Sequence, residues 1–127
     1  MSDTIFIILG VLALVLTWYS RSYRSANDDV INTLYRQAAR YTVASLQDES
    51  EVIQVLHANY GMGYLLALRD ISSETDFKRV TGEDLDTFHR KVSVAQDLAT
   101  QRLIRGRPDL VPLEDPSLLK AMYSAHV

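Results

Sequence analysis

The hydrophobic residues of this chain follow one pattern up to residue 20 and a different pattern after it. No charged residue lies between Asp3 and Arg21, and apolar side chains fall on every side of a helix drawn through residues 4–20. At roughly 1.5 Å per residue this stretch spans about 25 Å, at the short end of what crosses a bilayer core of about 30 Å. We therefore predict a single transmembrane anchor over residues 1–20, formed by Ile5, Phe6, Leu9, Leu12, Leu16, Trp18 and Tyr19.

Two other interpretations of the first 20 residues are a buried core helix and a cleaved signal peptide. A core helix in a small soluble domain has one polar face, which this segment lacks. A signal peptide has a basic start and a cleavage site between small residues. Here the start holds Asp3, and the apolar run ends in Trp18 and Tyr19, whose rings suit the lipid headgroup layer. These features favour a retained anchor.

The residues that flank the anchor predict its orientation. Arg21 and Arg24 follow the apolar run directly, whereas the N-terminal side carries Asp3 and neither lysine nor arginine. Basic residues stay preferentially on the cytoplasmic side of a membrane span. We expect residues 21–26 to be a basic tether that leads to a domain in the cytoplasm or its topological equivalent.

After residue 26 the apolar residues recur at the three- and four-residue spacing of amphipathic helices. A first helix, capped by Ser25 or Asn27, is expected to end near Gln47. No strand-like alternation, internal repeat or low-complexity run occurs. The predicted fold is therefore all-α, with an N-terminal single transmembrane helix followed by a small helical bundle over residues 27–106.

The second predicted helix begins at Asp48 or Ser50 and contains two glycines, Gly61 and Gly63. Each glycine weakens a helix by about 1 kcal/mol relative to alanine, so close packing of a neighbour should compensate. We favour one continuous helix to about residue 71 over a break near residue 60. The candidate packing or partner face of this helix consists of His57, Asn59, Tyr60, Gly61, Gly63 and Tyr64.

The remaining helices are predicted from their end signals. A short helix should follow the polar residues 72–76, and a longer one should begin at Thr81, with Asp84 completing a capping box. The longer helix should end at a left-handed Gly106. Residues 107–127 are expected to be an extended, proline-containing segment with a short helix. The buried stripe of the longer helix is predicted to be Leu85, Phe88, Val92, Ala95 and Ala99, with Leu98 beside it.

Composition and charge narrow the range of functions. The chain has no cysteine, which excludes disulfides, thiolate metal sites and a cysteine nucleophile. Its net charge is −3, but residues 48–86 hold nine acidic and three basic residues, whereas residues 90–107 hold five basic and one acidic. Such blocks suit polar contacts with a partner or between helices. Because the basic residues are neither dense nor interleaved with aromatics, no nucleic-acid partner is expected.

The residues that come closest to a catalytic group are His57, Asn59 and Tyr60. Acid–base chemistry also needs a nucleophile and a cleft, and the sequence signals neither. His57 and His89 lack the spacing of a metal site, and residues 61–63 (GMG) lack the lysine and further glycines of a phosphate-binding loop. We expect no catalytic residue, cofactor, metal or small-molecule substrate, with a membrane-tethered enzyme as the distant alternative.

Three stretches of the chain resemble a family of small single-anchor proteins of large DNA viruses of algae and protists. These are residues 36–48 (RQAARYTVASLQD), 55–71 (VLHANYGMGYLLALRDI) and 95–101 (AQDLATQ). The resemblance implies a minor capsid protein between the internal membrane and the capsid shell, with lipid and other major and minor capsid proteins as partners. The alternative is an accessory subunit of a cellular or organellar membrane complex, in which Gly10 and Ala13 would pack on neighbouring transmembrane helices.

Overall fold

The computed structural model of the protein describes residues 2–110, and within that range it contains helices and turns but no strand. The all-α prediction is therefore confirmed. Met1 and residues 111–127, which include the predicted C-terminal short helix, lie outside the described residues. The helices are α1 (Ser2–Gln47), α2 (Glu51–Ile71), α3 (Glu74–Thr81) and α4 (Leu85–Gly106), followed by a 3-10 turn at Pro108–Leu110.

The first helix, α1, is unbroken over 46 residues and is about 69 Å long at 1.5 Å per residue. Residues 21–26 are helical, so the predicted cap at Ser25 or Asn27 is wrong. This stretch contains only arginine, serine, tyrosine and alanine. It has neither glycine nor proline, so nothing in it breaks a helix. The apolar N-terminal part and the first wall of the bundle therefore belong to one helix.

The bundle is built on the C-terminal half of α1, which packs along α2, while α4 packs on both and α3 covers one end. The prediction of one continuous second helix is confirmed. The predicted stripe of α4 is also confirmed, since all five of its residues are buried, with Leu98 exposed beside them. The central core consists of Ile31, Ala38, Leu65, Leu68, Phe77, Leu85, Phe88 and Val92.

Three aromatic rings join α1, α3 and α4 at the end of the bundle nearer the N-terminal part of α1. The ring of Tyr35 meets Phe77 edge-on, with the ring centroids 5.6 Å apart, and lies 4.8 Å from the ring of Phe88. Phe77 and Phe88 stack at 5.9 Å. Such pairs contribute about 0.5–1.5 kcal/mol each beyond their buried area, so this cluster holds the short α3 in place.

Only one of the two glycines in α2 is needed for close packing. A Cβ on Gly61 would lie 2.6 Å from Thr42 Oγ1 and 3.2 Å from the backbone oxygen of Ala38, so α1 and α2 meet backbone to backbone there. A Cβ on Gly63 would meet nothing within 4 Å. The packing prediction is therefore confirmed for Gly61 and wrong for Gly63.

Several predicted helix ends are wrong by a few residues. Thr81 closes α3 instead of opening α4, because Gly82 adopts φ +76° and reverses the chain. The N-cap of α4 is Asp84, whose carboxylate accepts a hydrogen bond from the Thr87 backbone N–H at 3.2 Å. Gly106 is not left-handed but remains helical, with Glu51 Oε1 2.8 Å from where its Cβ would stand.

Candidate functional site

The N-terminal part of α1 extends away from the bundle with its apolar side chains uncovered. Every large hydrophobic residue from Ile5 to Tyr19 is at least 51% exposed. Within the described residues α1 is the one helix long and apolar enough to cross a membrane. The residues predicted to form the anchor, namely Ile5, Phe6, Leu9, Leu12, Leu16, Trp18 and Tyr19, all belong to this uncovered stretch.

The two arginines predicted to orient the anchor lie on the same helix, just beyond its aromatic end. Both Arg21 and Arg24 are exposed. Arg24 borders a shallow hollow of about 330 Å³ together with Tyr19 and Tyr23 of α1 and Arg79 of α3. The end of α3 is therefore close to the point where the apolar stretch stops.

An ion-pair cluster fastens α3 to α1 above that hollow. Arg79 donates to both carboxylate oxygens of Asp28, at 2.8 and 2.7 Å, and to Asp76 at 3.0 Å. Hydrogen bonds from this guanidinium lower the pKa of Asp28 and of Asp76, and the two carboxylates raise the pKa of Arg79. Bidentate geometry gives direction as well as attraction, so the cluster fixes how α3 sits on α1.

The predicted partner face of α2 is divided among three sides of the helix. His57, Tyr60 and Tyr64 surround the ring of Tyr41, with centroid distances of 5.6, 5.3 and 5.8 Å. Asn59 points elsewhere and accepts a hydrogen bond from Gln96 Nε2 of α4 at 2.8 Å. As described above, Gly61 is buried against α1, and Gly63 lies in the open.

The histidine of this face holds the connection between α1 and α2. His57 Nδ1 lies 2.5 Å from a carboxylate oxygen of Asp48, and Gln54 Nε2 donates to the Asp48 backbone oxygen. The ring of Tyr41 lies beside His57, with the ring centroids 5.6 Å apart. This histidine–carboxylate pair positions the turn between α1 and α2. Within residues 2–110 no three His, Asp or Glu side chains come together in a way that could hold a metal ion.

Comparison of the chain with protein-family models, curated proteins and solved structures gives no match. The function therefore has to be inferred from the geometry of the chain itself.

A groove that the sequence did not predict runs between α1 and α4. It encloses about 640 Å³ and is mainly apolar. Its walls include Ala39, Val43 and Leu46 of α1 and Val94 of α4, with Phe88 at its base. Ala39, Val43 and Leu46 form a second helical stripe beside the one that packs on α2. Their spacing in the sequence is the pattern from which this wall of the groove could have been predicted.

Proposed function

We propose that the protein is a single-pass membrane-anchored interaction protein. The apolar part of α1 lies in a bilayer, and the helical bundle on the cytoplasmic side binds other structural proteins. The observation that carries the proposal is the contrast within α1, which is uncovered and apolar on all sides up to Tyr19 but forms a wall of the bundle core from Ile31 onward. Large uncovered apolar surfaces of this kind mark membrane or protein contacts.

The energetics of the apolar stretch favour lipid over water. Residues 4–20 contain ten Ile, Leu, Val or Phe residues and no charge. At about 0.3–0.6 kcal/mol for each such residue, their summed preference for the membrane is about 3–6 kcal/mol. The charge asymmetry between Asp3 and the pair Arg21 and Arg24 supports an orientation with the bundle on the cytoplasmic side.

The narrower form of the proposal is a minor capsid protein that joins an internal viral membrane to the capsid shell. The resemblance of residues 36–48, 55–71 and 95–101 supports it. A shell that assembles on a membrane also meets that membrane on its cytoplasmic face, where the bundle is proposed to lie. In virions treated with mild detergent, the protein should remain with the capsid or membrane fraction. Detection only in membranes of infected cells would contradict the capsid role.

The membrane part of the proposal can be tested with single cysteines, because the natural chain has none. The variants Ser2→Cys and Glu49→Cys place one thiol before the apolar stretch in the sequence and one in the turn after α1. In intact cells a membrane-impermeant maleimide should label Ser2→Cys, and it should label Glu49→Cys only after permeabilisation. Labelling of both without permeabilisation, or release of the protein by alkaline carbonate, would contradict the proposal.

A further inference from the structure

The groove between α1 and α4 has the shape of a helix-binding site. Phe88 and Thr42 are buried at its base, whereas Val43, Leu46 and Val94 are each about half exposed on its walls. From Tyr35 to Leu46 the α1 wall extends over eleven residue steps, which is about 16 Å or three helical turns. Ala39 stands in the middle of this wall, where its small side chain lets another helix approach closely. Amphipathic helices bind in grooves of this kind through side chains spaced three and four residues apart.

The rim of the groove is positively charged. Arg36 lies on its α1 side, where it borders the adjoining apolar surface with Ala39 and Val43. Arg40 borders the same adjoining surface, but its guanidinium lies over the ring of Tyr41, 5.8 Å from the ring centroid. Arg90 borders its α4 side. Within residues 2–110 neither Arg36 nor Arg90 forms an ion pair, and Arg90 donates one hydrogen bond to Thr87 Oγ1 at 3.2 Å.

The one carboxylate that lines the groove already has a hydrogen-bond partner and an ion-pair partner. Glu83 accepts a hydrogen bond from the Tyr35 hydroxyl at 2.9 Å and pairs with Lys91. Burial raises the pKa of Tyr35, with the bond to Glu83 acting in the same direction, so the phenol stays protonated and remains a donor. The charge left for a ligand to meet is therefore that of Arg36 and Arg90.

We propose that this groove binds an amphipathic helix of a partner protein, about three turns long, whose apolar stripe is flanked by acidic side chains. The inference rests on the proposed function, since it names the place where the bundle binds its partner. Acidic flanks would meet the guanidinium groups of Arg36 and Arg90, for which carboxylates are the matching bidentate ligands.

Charge distinguishes this partner from two other occupants. A second copy of the chain, joined through the same groove by a two-fold axis, would bring the arginines of one rim against those of the other. In the chain's own residues 111–127 the two acidic side chains, Glu114 and Asp115, both lie before Pro116. The short helix expected after Pro116 carries Lys120 and no acidic flank, so it does not complement the rim. An acidic amphipathic helix satisfies both the apolar walls and the rim.

The test uses the full chain in phosphatidylcholine nanodiscs and two fluorescein-labelled helical peptides of about 14 residues, enough to cover the groove. The peptides share one apolar stripe and differ only in having glutamate or lysine flanks. Fluorescence anisotropy, corrected with empty nanodiscs, should show the glutamate peptide binding about tenfold more tightly, with a preference that shrinks as salt rises. Equal affinities, or no binding of either peptide, would overturn the proposal.

Charge reversal separates the groove from general adhesion. In Arg36→Glu/Arg90→Glu the preference should switch to the lysine peptide, whereas Arg102→Glu, on the opposite edge of α4, should leave it unchanged. An unchanged preference in the double variant would refute the assignment. So would a several-fold rise in peptide affinity in Leu118→Ser/Leu119→Ser, which would identify the chain's own C-terminal residues as the occupant. Self-association that Val43→Glu abolishes would identify a second copy instead. Because membrane extraction and thiol labelling do not involve the groove, failure here leaves the anchor proposal standing.

Discussion

Placing charge at the centre of the apolar stretch should release the protein from membranes without disturbing its bundle. Leu12 is the midpoint of residues 4–20 and is 52% exposed, with no contact to the bundle core. Arginine at a bilayer centre costs about 2.5–3.5 kcal/mol, and loss of the leucine removes about 0.5 kcal/mol more. The single variant Leu12→Arg therefore loses about 3–4 kcal/mol of a total preference for the membrane of about 3–6 kcal/mol. Its membrane insertion should be only weakly favourable.

A second arginine should exceed what the segment can tolerate. In Leu9→Arg/Leu12→Arg the combined cost is about 6–8 kcal/mol, larger than the whole apolar preference of the stretch. The fraction of protein that resists alkaline carbonate should fall partly in Leu12→Arg and almost completely in the double variant. Ser22→Arg is the matched control, because it adds the same charge on α1 beyond the aromatic end of the stretch and should remain in the membrane.

Two outcomes with the double variant would contradict the proposed membrane insertion of residues 4–20. If the double variant resisted carbonate as well as the natural chain, the uncovered part of α1 would not be held by lipid. If it lost the helical circular dichroism of the bundle, the N-terminal stretch would be part of the folded core, contrary to its exposure. Retained helicity together with release from the membrane is the expected combination.

Three further predictions concern the bundle. Gly61→Ala should be less stable than Gly63→Ala by about 1–3 kcal/mol in denaturant titrations, because both gain the same helix propensity and only the first forces a Cβ against α1. Phe77→Ala, which empties a fully buried position, should lower the free energy of unfolding by about 3–5 kcal/mol. The pKa values of Asp28 and Asp76 are lowered in the fold, so the stability from their ion pairs is fully present above about pH 4 and is lost as the pH falls through the folded pKa values. Hydrogen exchange of the α3 backbone amides should therefore become faster relative to the unfolded rate as the pH falls through that range.

Controls for these predictions lie nearby in the structure. Val52→Ala removes apolar atoms from an exposed position of α2 and should change stability far less than Phe77→Ala. Asp28→Asn should flatten the acid dependence of exchange in α3. Equal stability of the two glycine variants would contradict the backbone-to-backbone contact at Gly61, and acid sensitivity unchanged in Asp28→Asn would contradict the role given to the ion pairs.

The parts of the fold that the sequence predicts are those determined by local pattern. The anchor stretch follows from composition alone, and the buried stripe of α4 follows from its spacing. The boundary near Thr81 was wrong because Thr81 and Asp84 are both good caps, and the left-handed Gly82 between them ends α3 after Thr81 and leaves Asp84 to start α4. Likewise, Gly61 and Gly63 are equivalent as sequence, and only the position of α1 distinguishes them.

The candidate binding surface was harder to predict because it is made by two helices far apart in the chain. Val43 belongs to α1 and Val94 to α4, and each alone reads as an isolated exposed apolar residue, which is common on protein surfaces. They face one groove only after α2 has brought the two helices together. The residues singled out on α2 instead follow a local cluster of aromatic and small side chains, which the fold uses for several separate contacts.

Because α1 has no break, a bilayer that holds its apolar stretch as proposed would also fix the rotation of the bundle about the helix axis. Each residue of a helix turns the chain by about 100° and advances it by about 1.5 Å. One residue added within 21–26 would therefore rotate the groove by about a quarter of a turn around the membrane normal while barely changing its height. About seven added residues would make two turns and restore the direction in which the groove faces. A partner fixed in a layer parallel to the membrane would bind only when the groove faces it. A flexible linker of the same length would remove this dependence on direction.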